Sequence, residues 1–164
     1  MAEAHVVITV RAEGALARMA HDIRLEARDG SFELDGDSVR ARFPVAGIHV
    51  ALTSRHGKDE FEPPSAKDAG EIEERLRTVA LAGGDEVLVT GSREAIEVIA
   101  PHGKQRVSPG KLEVREEDGR TVVRGACTLS LAALGTGEIR LPLGAVRVKD
   151  AIDVEFAVTV EKRS

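Results

Sequence analysis

The residues best equipped for chemistry are His21 and Asp22, adjacent in the run "ALARMAHDIRLEAR" (15–28). A histidine beside a carboxylate could act as a base with its orienting partner, or His21 could hold a ligand head group. Neighbouring residues on a strand point to opposite faces, so the two side chains cannot easily meet. The plainer reading has Asp22 satisfying backbone donors where a strand begins, with His21 packed near one end of the fold. His5, His49, His56 and His102 show neither HExxH nor His-x-His spacing and predict no metal site. Cys127 is the one cysteine, which excludes an internal disulfide and a cysteine zinc cluster. It shares a face with Val123, Leu129 and Leu131 and reads as a small buried hydrophobe, with nothing nearby to activate a thiol. There is no Gly-x-Ser-x-Gly elbow and no phosphate-cradling glycine loop before a helix. The expectation is a protein that is not an enzyme and holds no metal or cofactor.

Composition narrows the classes further. The chain has 164 residues, the size of one domain with one core, so a single domain over 1–164 is expected. Its 23 basic and 28 acidic residues are interspersed, and there are four Phe but no Trp or Tyr. With neither a basic run nor aromatics to stack on bases, nucleic-acid binding is not expected. "MAEAHVVITV" lacks the features of a secretion signal, and no stretch approaches the ~20 apolar residues of a membrane span. A cytoplasmic protein with no integral membrane span is therefore expected. Arg40, Arg42 and the "SRHGK" loop (54–58) could gather an anionic head group, though solvated charges explain them equally well.

The elements that would position any site are mostly strands. Val6, Ile8 and Val10 share one face of 5–12; Ile23, Leu25 and Ala27 share one face of 22–28. Phe32 and Leu34 follow Asp29-Gly30, and Val39, Ala41 and Phe43 follow Gly36. The "DG" pairs predict antiparallel hairpins. Runs 86–91 and 95–100 flank Ser92-Arg93-Glu94, while 111–117 and 121–131 flank Asp118-Gly119. In 151–163, Ile152, Val154, Phe156, Val158 and Val160 form one face. Such one-sided burial belongs to antiparallel sheets. Residues 65–84 break the pattern and predict a helix, with Ile72, Leu76 and Val79 on its apolar stripe. Glu71–Arg75 and Glu73–Arg77 would be its ion pairs, Asp68 with Glu71 its capping box, and Gly83-Gly84 its stop. Polar residues 53–64 before it predict a long exposed loop. About ten strands and one amphipathic helix suggest a closed or nearly closed barrel, which removes sheet edges. Its apolar stripe would plug one end or act as a lid.

His21-Asp22 with its alternating strand resembles the start of the YceI-like family of lipocalin-like, polyisoprenoid-binding proteins. "KDAGEIEERLRTVALAGG" is similar to that family's helix, "VVRGACTLSL" (122–131) to its Thr-Leu strand, and "LPLGAVRVKDAIDVEFAVTVE" (141–161) to its closing strands. In place of a His-Gly-Val-Thr-like turn after the Thr-Leu strand, this chain has Ser130-Leu131-Ala132-Ala133-Leu134. The resemblance implies a mainly β, antiparallel lipocalin-like barrel with one amphipathic helix and a tunnel for a long apolar ligand: an isoprenoid, a quinone or a fatty acid. The expected function is a non-catalytic bacterial lipid carrier. Its candidate ligand-binding residues are His21, Leu25, Phe32, Phe43, Ile48, Leu76, Leu129, Leu141 and Phe156. The alternative is a protein–protein interaction or structural module with a side-chain-filled barrel, and a homodimer is open under either.

Overall fold

The computed structural model describes residues 2–13, 21–55, 60–136 and 147–161. Among them are thirteen strands: β1 (Ala2–Val10), β2 (Ala12–Glu13), β3 (His21–Ala27), β4 (Ser31–Asp35), β5 (Ser38–Pro44), β6 (Ile48–Arg55), β7 (Glu86–Ser92), β8 (Ile96–Ala100), β9 (Gly103–Val107), β10 (Gly110–Glu117), β11 (Arg120–Ser130), β12 (Arg147–Val148) and β13 (Ala151–Glu161). A six-stranded sheet has the order β10-β11-β13-β1-β3-β6, and a five-stranded sheet the order β4-β5-β7-β8-β9. β2 and β12 pair separately. Every pairing is antiparallel. The expectation of a closed barrel is corrected here: the two ladders face one another but do not join.

The reason lies in two short corners. Asp29-Gly30 was expected to fold β3 back onto β4, yet β3 pairs with β1 and β6. Asp29 instead adopts a positive φ of 61° and steers the chain into the other sheet. Gly30 packs against the Phe43 ring, where an added Cβ would come within 2.6 Å. The return is a 3-10 turn, Val45–Gly47, that carries the chain from β5 into β6. Gly47 lies on the Arg28 carbonyl and accepts the Arg28 N–H at 2.8 Å, closing the corner. Asp118-Gly119 does form the expected hairpin: Glu117 pairs with Arg120, and φ values of 48° and 76° give the left-handed loop such hairpins favour.

One strand was not anticipated, and two other expectations change. Gly103–Val107, to which the sequence reading assigned no element, is an edge strand on β8. Thr53 and Ser54 are buried strand residues, and Thr53 bridges Glu62 through two backbone hydrogen bonds, so 53–64 is not simply an exposed loop. The helix is α1 (Ala66–Arg75), followed by a single π-type turn over Leu76–Ala80 and a positive-φ Gly83. Its cap is Ser65, whose hydroxyl accepts the Asp68 N–H at 3.1 Å, three residues before the expected capping box. Neither predicted i,i+4 ion pair forms. Glu73 faces β6 instead, accepting the Val50 N–H at 3.1 Å and lying 3.0 Å from His49 Nδ1. That carboxylate covers a donor on an edge strand, a larger gain than an exposed ion pair.

Asp22 is buried and accepts the Ala12 N–H at 3.1 Å, as the plainer reading expected. It therefore joins β3 to the short β2–β12 ribbon.

Candidate functional site

Alternation along the strands sends one set of side chains into the space between the sheets. From the six-stranded sheet come Val6, Ile8 and Val10 of β1, Ile23, Leu25 and Ala27 of β3, and Ile152, Val154, Phe156 and Val158 of β13. The five-stranded sheet contributes Phe32 and Leu34, Val39, Ala41 and Phe43, and then Val87, Val89, Ile96 and Val98. These side chains do not fill the space. A cavity of about 360 Å³ remains, within the range of small-molecule sites. Consistently, no large side chain among the described residues is fully shut off from solvent-sized space. A close-packed interior would leave no such room.

The packing divides into two clusters. Val98, Ala100, Leu129, Leu131, Leu134 and Ile152 form one, and Leu25, Ala27 and Ile48 the other. Ile8, Val10 and Leu81 touch both, so the cavity lies along a single continuous interior.

The first cluster is shut by the turn Leu131–Gly135. Asp150 organises it: the Ser130 hydroxyl donates to one carboxylate oxygen at 2.7 Å, and the Ala132 N–H to the other at 2.9 Å. These two bonds, the serine's first, hold the Asp150 carboxyl below its ordinary value. Gln105 of β9 accepts the Ser130 N–H at 2.7 Å and so ties the sheets by a side chain where no ladder does. Gly135, with φ 78°, sits on His102, where an added Cβ would lie 2.3 Å from the carbonyl oxygen. The second cluster lies under α1 and the π-type turn, which supply Ile72, Leu76, Ala80 and Leu81 to the wall. No residue of α1 is itself buried.

Polar groups reach the wall at Arg75, Ser92, Arg93, Thr121 and Thr136. All five sit toward element ends. Arg75 is the last residue of α1, and Ser92 the last of β7. Arg93 follows it in the β7–β8 turn, Thr121 adjoins the β10–β11 hairpin, and Thr136 donates to the Ala80 carbonyl at 3.2 Å. Among the described lining residues, the middle of the cavity is hydrocarbon apart from the Cys127 thiol. Burial pushes that thiol up, so it stays protonated and inert at neutral pH. Cys127 is half-buried on the cavity wall, more accessible than the packed residue expected from its face. Among the described residues, no buried side-chain nitrogen or oxygen lacks a hydrogen-bond partner, and no three His, Cys, Asp or Glu side chains gather as a metal site would require.

Of the residues singled out from sequence, Leu25, Phe32, Phe43, Ile48, Leu76, Leu129 and Phe156 stand on this wall. Leu141 lies outside the described residues. His21 begins β3, opposite Arg55, and its side chain is likewise outside them. Arg40 and Arg42 are exposed on β5 and do not reach the cavity, and His56 with most of "SRHGK" falls outside the described residues. Sequence reasoning missed Arg75 and Arg93 as wall residues. Arg75 was assigned to a surface ion pair, and only the helix's rotation against β6, fixed by Glu73, turns it toward the rim.

No model of a known protein family matches the chain, and no curated protein matches it by sequence. Among solved structures it is similar to BcnA of Burkholderia cenocepacia, a lipocalin-like protein, with a TM-score of 0.64, 9% identity and coverage of 96% of each chain. At that identity the likeness carries the fold alone. It supports a lipocalin-like architecture, a coarser statement than the YceI-like resemblance of the sequence motifs. No helix among the described residues is long and apolar enough to cross a membrane.

Proposed function

We propose that the protein is a non-catalytic carrier that holds one apolar ligand, such as an isoprenoid or fatty chain, between its two sheets. The observation that carries this reading is the cavity of about 360 Å³ with an almost entirely hydrocarbon wall. Such a wall binds by removing apolar area from water, worth about 0.8 kcal/mol per buried CH2 before ordering costs. Among the described residues, no buried side-chain nitrogen or oxygen is left unpaired to recognise or activate a substrate. The unfilled interior favours this reading over an interaction module with a side-chain-filled barrel. The lipocalin-like likeness is compatible with carriage.

Native mass spectrometry of the purified protein and organic extraction of its contents test the proposal, together with titration by a fluorescent fatty acid. One ligand per chain is expected. Val89→Phe, which adds a ring to the wall, is expected to weaken binding about tenfold or more while keeping or raising Tm. Failure of every long-chain apolar ligand to bind, or unchanged binding in a folded Val89→Phe protein, overturns the proposal.

A further inference from the structure

The charge on the cavity wall is one-sided. Acidic residues outnumber basic ones 28 to 23 in the chain, yet among the described residues the wall's charged side chains are both arginines, Arg75 and Arg93, with no acid beside them. They stand at different ends. Arg93 follows the last residue of β7, whereas Arg75 adjoins Leu76 and the turn that leads to the start of β7. A seven-residue strand separates those ends by roughly 20 Å.

The two arginines also differ in engagement. Arg93 Nε lies 3.5 Å from the Asp37 carboxylate. Arg75 has no acidic partner among the described residues, although Glu71 sits one turn before it on the same helix. Glu73 is committed to Val50 and His49 on β6. A cation in the last turn of a helix is favoured by the helix dipole, which accounts for an arginine there. It does not account for a guanidinium left without a carboxylate on the rim of a hydrocarbon cavity. An arginine whose stem lines apolar surface and whose head emerges at the rim meets what an anionic amphiphile presents.

We propose that the ligand is a single-chain amphiphile with a monoanionic head, its chain in the cavity and its head group on Arg75 at the α1 end. This rests on the carrier reading above and adds head-group charge and direction of insertion. A fatty carboxylate and an alkyl phosphate share that chemistry.

The test compares affinities for hexadecanoate, hexadecyl phosphate and hexadecanol, measured on the whole chain by displacement of a fluorescent fatty alcohol. The wild type is expected to favour the anions over the alcohol by about fivefold, the upper end for a solvent-exposed charge pair. Arg75→Gln should erase the preference by weakening the anions more than hexadecanol, while Arg75→Lys should keep most of it. Arg93→Gln should keep it as well. A larger gain for one anion than the other identifies which source of the head group the site suits, and either result supports the proposal. Equal affinity for alcohol and anions in the wild type overturns it and leaves the carrier standing. So does a preference that survives Arg75→Gln or disappears with Arg93→Gln. Absence of binding by all three overturns both readings.

Discussion

The two buried clusters of the interior are covered by different means, and the two covers meet where Thr136 donates to the Ala80 carbonyl. At one, the turn Leu131–Gly135 buries Leu131 and Leu134, is held by both oxygens of Asp150, and is locked against β8–β9 by Gln105 and by Gly135 on His102. At the other, α1 covers the cavity without burying a single residue and meets β6 through Glu73. The difference teaches how a chain of this size can be both stable and open. Rigidity is concentrated where backbone, carboxylate and glycine packing coincide, and access is left where only half-buried leucines intervene.

Five measurements can break or sharpen this contrast. The largest effect is expected at the firm region around Leu131–Gly135. Gly135→Val combines a positive φ with a clash against the His102 backbone and should cost about 3 kcal/mol or more in chemical denaturation. A loss under 1 kcal/mol would show that the turn is not fixed. Leu129→Ala, in the same cluster, should cost about 2–4 kcal/mol. At the α1 end, Leu76→Ala should cost only about 1 kcal/mol, because the half-buried side chain has less burial to lose, yet should speed ligand release in stopped-flow exchange. If Leu76→Ala and Leu129→Ala destabilise equally, the two regions are not different in kind. Glu73→Ala removes the acceptor for Val50 N–H and should cost about 1 kcal/mol or less. Faster hydrogen exchange confined to β6 and α1 would confirm it, and global acceleration would not.

The smallest signal is a pH slope. Asp150's folded pKa lies below its unfolded value, so its contribution is fully present above the unfolded carboxylate range, about pH 4, and is lost as pH falls through the folded value. Asp150→Asn should flatten the acid limb of the stability curve. An unaltered limb would mean that other carboxylates set it.

Much of the architecture was legible because it depends on period-2 alternation, which is local. Val6-Ile8-Val10, Leu25-Ala27, Val39-Ala41-Phe43 and Ile152 to Val158 were assigned inward faces from sequence, and they line the interior. What alternation does not encode is which sheet a strand joins. Asp29-Gly30 looks like Asp118-Gly119 on the page, yet one turns a corner between sheets and the other makes a hairpin. The choice depends on Phe43 and Gly47, which are distant in sequence from the turn. β9 was missed because "GKQRV" carries little apolar character: Gln105 points to Ser130, and its edge position demands only backbone pairing. For the cavity, sequence supplied the hydrocarbon wall but not the empty volume, since volume is a difference between enclosed space and side-chain size. The rim charges were hidden for a further reason. Spacing on α1 paired Arg75 with Glu71, and only tertiary contact showed Glu73 turning away and Arg75 left alone.

Cys127 has a practical consequence of its own. Because the chain's sole sulfhydryl borders the lumen, a nitroxide or fluorine tag attached there at alkaline pH, where the raised thiol ionises, would report from inside the pocket. Occupancy of the lumen by the ligand proposed above would then be observable at one defined atom. The same handle, once bulky, would fill the lumen and give a non-binding protein for comparison.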